Sequence, residues 1–234
     1  MNAPFEREPQ AVADRYARRR DHDRFSILHP DVWQTVQERQ RALLRLFRRL
    51  GWHDLAGRRV LEVGCGTGGN LLELLRLGFA PRNLAGIELL PERFAQAMQM
   101  LPAGVVLMQG DASVVQLPDE SEDIVLQSTV FSSLLDAPFQ WRLAQTMWRW
   151  VRPGGGVLWY DFTFNNPANP DVRGVPVARI RELFPEGRVQ YQRVTLAPPL
   201  ARRVCALHPS LYPVFNVIPL LRTHVLAWIE KPQP

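Results

Sequence analysis

Lysine is almost missing from this chain: Lys231 is the only one among 28 basic residues, and every other is arginine. A replacement this complete reflects genome composition at least as much as function. The net charge of +5 therefore gives no warrant for nucleic-acid binding and points only weakly to an anionic partner or surface. Cysteine is equally scarce. Cys65 and Cys205 are too few for a disulfide framework or a zinc site, and they fit a reducing cytosol. No cluster of histidines, cysteines or carboxylates has ligand spacing, so no metal is expected. The charged N-terminus lacks the apolar core of a signal peptide, and no run reaches the roughly 18 apolar residues of a membrane span. Internal repeats and low-complexity tracts are missing too.

What remains is 234 residues with 46% hydrophobic content, the size of one domain with additions. Residues 1–50 read as an N-terminal arm and helical cap, and 51–234 as the main body. The organising stretch is Arg59-Val60-Leu61-Glu62-Val63-Gly64-Cys65-Gly66-Thr67-Gly68-Gly69-Asn70. A short β-rich run leads through glycines into a helical pattern from Asn70 to Leu75. Such a turn brings bare backbone close to a ligand, and the helix start adds free N–H donors. Dinucleotide enzymes use a related turn, but here Glu62 lies inside the strand, ahead of the glycines.

That E-x-G-x-G-x-G form resembles motif I of the class I S-adenosylmethionine (SAM)-dependent methyltransferases. The resemblance implies that Glu62, Gly64, Cys65, Gly66 and Gly68 hold the amino-acid end and ribose of SAM. Asn83–Glu88 reads as a second strand ending in a carboxylate. Glu88 stands near the spacing at which dinucleotide-type folds place an acid on a ribose diol, where two acceptor oxygens meet two hydroxyls. Leu89 is carried with it. After a third strand at 105–109, Asp111 and Ala112 match the family positions that meet the adenine amino group and ring. The turn Arg152-Pro153-Gly154-Gly155 resembles the family's turn before its fifth strand.

Beyond the fourth strand, Ile124–Gln127, the run Ser128–Ser133 occupies the place where the family brings the methyl group to its acceptor. It lacks both the Asn/Asp-Pro-Pro-aromatic signature of nucleobase amino methylases and the cysteine of a cytosine C5 enzyme, so a nucleic-acid target is not expected. Gln127 is expected to border SAM, and Ser128 and Phe131 the acceptor. Asp161-Phe162-Thr163-Phe164-Asn165-Asn166-Pro167 leaves the fifth strand at the edge where open α/β sheets bind ligands. Asp161 is the obvious candidate general base for an alcohol acceptor. Asn165, Asn166 and, in the following loop, Arg173 are candidate acceptor contacts. Ahead of motif I, the 31–50 pattern predicts a helix. Residues 1–24 read as a mobile arm or frayed helix whose removal spares folding, with Tyr16 and His29 as acceptor-side candidates.

Strands alternating with helices predict an α/β fold, and the resemblance makes it a doubly wound, mostly parallel, seven-stranded sheet with an N-terminal helical extension. The expected activity is SAM-dependent O-methylation of a sugar or small-molecule hydroxyl, of the kind found in bacterial surface polysaccharide, with S-adenosylhomocysteine as product. Methylation of a lipid-like or quinone-like acceptor is the alternative if the proline-broken apolar segment 200–221 touches a membrane or a protein. The chain is then cytoplasmic, or peripheral to the inner membrane face. A SAM-binding regulatory or scaffold protein without turnover is the third reading, which an open polar cavity at Asp161 would count against.

Overall fold

The computed structural model describes residues 7–18, 26–166 and 169–233. The chain begins with α1 (Arg7–Ala17) and α2 (Pro30–Arg49), followed by β1 (Val60–Val63), α3 (Gly69–Leu77), β2 (Leu84–Glu88), α4 (Pro91–Met100) and β3 (Val106–Gln109). It continues through β4 (Glu122–Ser128), α5 (Ala137–Trp150), β5 (Val151–Phe162), α6 (Val177–Leu183) and β6 (Arg188–Leu196). It closes with α7 (Pro198–Leu207), α8 (Leu211–Asn216), a 3-10 turn at Pro219–Leu221 and β7 (Arg222–Glu230).

The strands form one seven-stranded sheet in the order β3-β2-β1-β4-β5-β7-β6. β1 to β5 pair in parallel, and β7 runs antiparallel to both β5 and β6. The strand order reverses between β1 and β4, which opens a crevice at the carboxyl ends of the strands. Alternation along the strands divides the core between two faces. Leu61, Val63, Val125, Val157 and Trp159 pack with Leu143, Met147, Trp150, Ile180 and Leu183 of α5 and α6. Val60, Ile124, Leu126, Leu158 and Trp228 pack with Leu43, Phe47, Leu71 and Leu74 of α2 and α3.

Most of the expected elements fall within a few residues of their sequence boundaries, and two differ for identifiable reasons. The apolar pattern of 141–151 predicts a helix from Trp141, but α5 starts at Ala137 because Asp136 caps it: its side chain accepts from the Phe139 N–H at 2.6 Å. The Arg152–Gly156 segment is not a turn ahead of β5 but an irregular stretch inside it. The register slips there from Glu122↔Val151 to Ile124↔Gly156, with Gly154 at φ 76°, as in a β-bulge.

The largest correction concerns the N-terminal arm. Residues 7–17 are a docked helix, with Val12 in the core cluster beneath α5. A buried ion pair fastens α1: Arg15 Nη2 donates to Glu8 Oε1 at 2.6 Å and to the Ser133 carbonyl at 2.9 Å. Glu8 Oε1 in turn accepts from the Leu135 N–H at 2.7 Å. Two polar contacts to a distant loop, at Ser133 and Leu135, leave no periodic signature in the sequence. The rest of the 1–24 arm, residues 1–6 and 19–24, lies outside the described residues.

Candidate active site

The strand ends on the reversal crevice enclose a cavity of about 300 Å³, lined from β1, β2, β3 and β4 and roofed by Pro9, Val12 and Tyr16 of α1. That volume is at the small end of the range for small-molecule sites. Its floor is the glycine turn. Gly64 (φ 66°) and Gly66 (φ 59°) hold left-handed backbone, and a Cβ would lie 2.6 Å from Val130 Cγ2 at the first and 2.7 Å from Arg93 Nη2 at the second. Only glycine lets the chain pass so close to β4 and α4. The Gly64 and Cys65 N–H groups both donate to the Ile87 carbonyl, at 2.8 and 3.0 Å, tying the turn to β2. Cys65 lines the cavity, and burial, helped by Glu62 and Glu88, holds its thiol above the ordinary range.

Three carboxylates converge on this turn from successive strands. Glu88, at the end of β2, is 4% exposed; it accepts from the Gly66 N–H at 2.7 Å and the Leu90 N–H at 2.8 Å. Each oxygen keeps a further lone pair, and Glu88 and Leu89 both line the cavity. Asp111, past β3, accepts from the Ser113 N–H and hydroxyl, both at 2.8 Å, and lines the cavity with Ala112.

Glu62 stands one layer back. It is fully buried, its Oε1 accepts from Asn70 Nδ2 at 2.6 Å, and its Oε2 has no partner. Asn70, not Glu62, reaches the cavity lining. Burial pushes the Glu62 carboxyl up to about 7, with the Asn70 bond pulling the other way. A buried, half-satisfied carboxylate behind a polar side chain suits a cationic group.

The remaining sequence candidates divide sharply. Tyr16 and Ser128 line the cavity, and the Arg93 guanidinium lies 5.2 Å over the Tyr16 ring. Gly68 does not line it; with φ 88° it starts α3. Gln127 is fully buried, and its Oε1 accepts from the Val130 N–H at 3.0 Å, so it shapes the loop after β4 rather than touching a ligand. Phe131 is core, fully buried with its ring 4.5 Å from that of Trp159. His29 precedes α2 and is not in the lining.

Asp161 is also displaced from its expected role. It is fully buried and absent from the lining, and it accepts from the Ser132 N–H at 3.1 Å and the Phe162 N–H at 2.9 Å. Its carboxyl, raised to about 7 by burial, anchors the Phe131–Ser133 turn. It lines neither the main cavity nor the small one beside Tyr160. Asn165 accepts from the Gly174 N–H at 3.0 Å and is exposed, as are Asn166 and Arg173, and none of the three lines the cavity. The asparagines serve the loop that follows β5, as Asx residues commonly do.

The lining also includes residues the sequence reading passed over: Arg39 of α2, Thr67, Asn70, Arg93, and an apolar group of Leu134, Phe139 and Leu143. Arg39 and Arg93 sit on helices read only for their apolar stripes. Neither carried a signal in the sequence, since α2 and α4 are separated from the glycine turn by other segments of the chain.

Residues 60–155 match the sequence profile of the methyltransferase domain family. By sequence this segment matches a methyltransferase domain, and its fold is the class I methyltransferase fold. Two curated relatives extend the match. A phthiotriol/phenolphthiotriol dimycocerosates methyltransferase of Mycobacterium ulcerans is 32% identical over 155 residues, 64% of this chain and 55% of that protein. A fatty-acid O-methyltransferase of Mycolicibacterium smegmatis is 39% identical over 110 residues, 46% of this chain and 38% of that protein. The chain thus spans about half the length, or less, of these relatives. Among solved structures, a SAM-dependent methyltransferase of Thermotoga maritima, described as a possible histamine N-methyltransferase, superposes with a TM-score of 0.61. It covers 94% of this chain and 98% of its own at 17% identity, a likeness of fold.

The residues present in the methyltransferase domain fit SAM. Glu88 offers free lone pairs to a diol, the Gly64–Gly66 backbone leaves room that any Cβ would fill, and the unpartnered Glu62 Oε2 lies behind Asn70.

Proposed function

We propose that this protein transfers the methyl group of SAM to an oxygen nucleophile carried on an apolar body. The observation that carries the reading is the convergence of Glu88, Asp111 and Asn70, the last backed by Glu62, with the bare Gly64–Gly66 backbone on one cavity at the strand-order reversal. Bound SAM supplies an electrophilic methyl on a sulfonium. The protein supplies proximity, alignment and exclusion of water. Glu88 holds the ribose hydroxyls, Asp111 and Ala112 the adenine edge, and Asn70, backed by Glu62, the amino-acid end. α1 roofs the site with Val12 and Tyr16 and keeps competing water out.

The acceptor class follows from what faces the cavity. Glu88 and Asp111 are engaged by backbone amides and Ser113, and among the described residues no histidine lines it. With Asp161 enclosed, an alcohol finds no placed base. A carboxylate or similarly acidic oxygen needs none, because it is already ionised near neutral pH. Arg93 offers it positive charge, whereas Arg39 is already paired with Glu73 at 3.0 Å, and Leu134, Phe139 and Leu143 suit an apolar body. The lipid names of the curated relatives favour the apolar body over the sugar first expected, whose contacts at Asn165, Asn166 and Arg173 lie outside the cavity, and the fatty-acid name favours the carboxylate while the phthiotriol name denotes an alcohol.

The closure of Asp161 also leaves the non-catalytic reading in play, since an open cavity there was to count against it. Titration calorimetry with SAM, S-adenosylhomocysteine and NAD, followed by methyl-labelled SAM assayed with fatty acids, fatty alcohols and sugars, separates the readings. Binding of the first two ligands and label transfer to fatty acids is expected. Label on sugars alone would overturn the acceptor class, and binding without transfer to any acceptor would favour a regulatory role.

A further inference from the structure

A second surface of the molecule is not explained by the cavity. From Gly187 to Ile229 the chain contains no aspartate or glutamate, while Arg188, Arg193, Arg202, Arg203 and Arg222 fall within it. The middle of this stretch is the excursion between β6 and β7, made of α7, α8 and the Pro219–Leu221 turn. Its inner side buries Ala201, Val204, Cys205 and Tyr212. Its outer side leaves Leu207 80%, Val217 71% and Leu220 87% exposed, with Val214 and Ile218 also exposed. Isolated apolar side chains on a surface need no explanation, but three on elements packed in succession and two, Val217 and Ile218, on the link between the last two of them form a patch. Ile27 and Leu28 (51% and 89% exposed) extend it. They immediately precede α2, which packs along α7 and whose Thr35 hydroxyl lies 3.3 Å from the Tyr212 hydroxyl of α8.

The position of the excursion is as informative as its composition. The pairs Phe162↔His224 and Leu196↔Arg222 place it at the carboxyl end of β5. That is the sheet edge onto which Gly64, Glu88 and Ser128 open the cavity. The exposed side chains of the excursion are aliphatic and the exposed Arg202 and Arg203 flank them, while Trp33, in the first turn of α2 beyond Ile27 and Leu28, is 45% exposed. Aliphatic groups with a peripheral tryptophan and arginines suit a headgroup boundary better than the aromatic centre of a protein interface. A second copy of the chain would bring the same arginines to a two-fold contact, like charge against like. No helix among the described residues is long and apolar enough to cross a membrane, and Pro209, Pro213 and Pro219 interrupt the segment.

We propose that this face, built on α7, α8 and the Pro219–Leu221 turn, docks in the plane of an anionic lipid surface. Leu207, Val214, Val217, Ile218 and Leu220 enter the headgroup boundary, and Arg202 and Arg203 meet lipid phosphates. The mouth of the cavity then faces the bilayer edge. The proposal does not depend on which acceptor is methylated.

The test is flotation of the full chain with vesicles of phosphatidylcholine alone or containing phosphatidylglycerol, at low and high salt. The expected result is binding to the phosphatidylglycerol vesicles, weakened by salt. Arg202→Glu with Arg203→Glu, and separately Val217→Asp with Leu220→Asp, should each weaken it by about tenfold or more. Both pairs should keep wild-type SAM affinity, since neither touches the cavity. No vesicle binding, binding untouched by either pair, or equal binding to both vesicle types would each overturn the proposal. So would a dimer in light scattering that Val217→Asp with Leu220→Asp dissolves, because the face would then belong to a second copy.

Discussion

The Gly66 N–H donates to Glu88 Oε2 at 2.7 Å, so the glycine turn after β1 is locked to the carboxylate that ends β2. One side chain sets the turn's position and keeps lone pairs for a ligand. Glu88→Ala should therefore weaken SAM and S-adenosylhomocysteine binding by more than tenfold, whereas Glu88→Gln, which keeps one acceptor, should lose less. Calorimetry measures both, and wild-type affinity in the alanine variant would remove the ribose assignment.

Asp161 is predicted to hold the turn after β4, not to accept a proton. In Asp161→Asn, one oxygen facing a backbone N–H becomes an NH₂, so an accepting site is lost. The expected cost is about 1–3 kcal/mol of stability, with SAM affinity kept and kcat within about tenfold of wild type. A much larger fall in kcat at unchanged Tm would restore the base role.

α1 should behave as a fastened lid. Removing one partner of a buried ion pair costs about 3–5 kcal/mol when the surroundings hold still, but here the helix can release instead. Arg15→Ala is therefore expected to weaken SAM binding about tenfold and to speed proteolysis within 7–18, with a modest drop in Tm. An unchanged SAM affinity would show that the helix covers the site without contributing to it.

Buried carboxyls give the ligand-free protein a falling stability profile. Glu62 and Asp161 rise from 4.5 and 3.8 to about 7 by burial. The folded state thus binds more protons than the unfolded one across that window, and stability present at low pH is lost as pH climbs to about 7. Each shift corresponds to on the order of 3–4 kcal/mol when fully titrated. His224, pushed down from 6.5 to about 4 by burial, works the other way between those values and offsets one of the two. Tm should decline from about pH 5 to 7.5, and Glu62→Gln or Asp161→Asn should flatten the slope. A profile that rises across that range would contradict the assignment.

Legibility in the sequence followed the range of the interaction. The elements around Glu62, Glu88 and Asp111 could be read because each is a strand end followed by a turn residue, a signal contained within about ten residues. Arg39 and Arg93 were invisible as site residues, since on a helix an arginine is by default a solvated charge. Asp161 was misread for the opposite reason. Its place at a strand end matched the rule for ligand-binding residues, but whether a side chain there faces a cavity or a neighbouring turn depends on the packing of the Phe131–Ser133 turn above it.

The sequence alone determined the alternation of strands and helices, the glycine turn and the carboxylates at the strand ends beside it, because backbone sterics and periodic burial act locally. Only the tertiary structure decided that α1 roofs the cavity through Glu8 and Arg15, that Asp161 is closed off and Phe131 is core, and that the acid-free β6–β7 excursion lies at the edge where the site opens. Those are relations between residues up to more than a hundred positions apart, fixed by which surfaces the sheet order brings together.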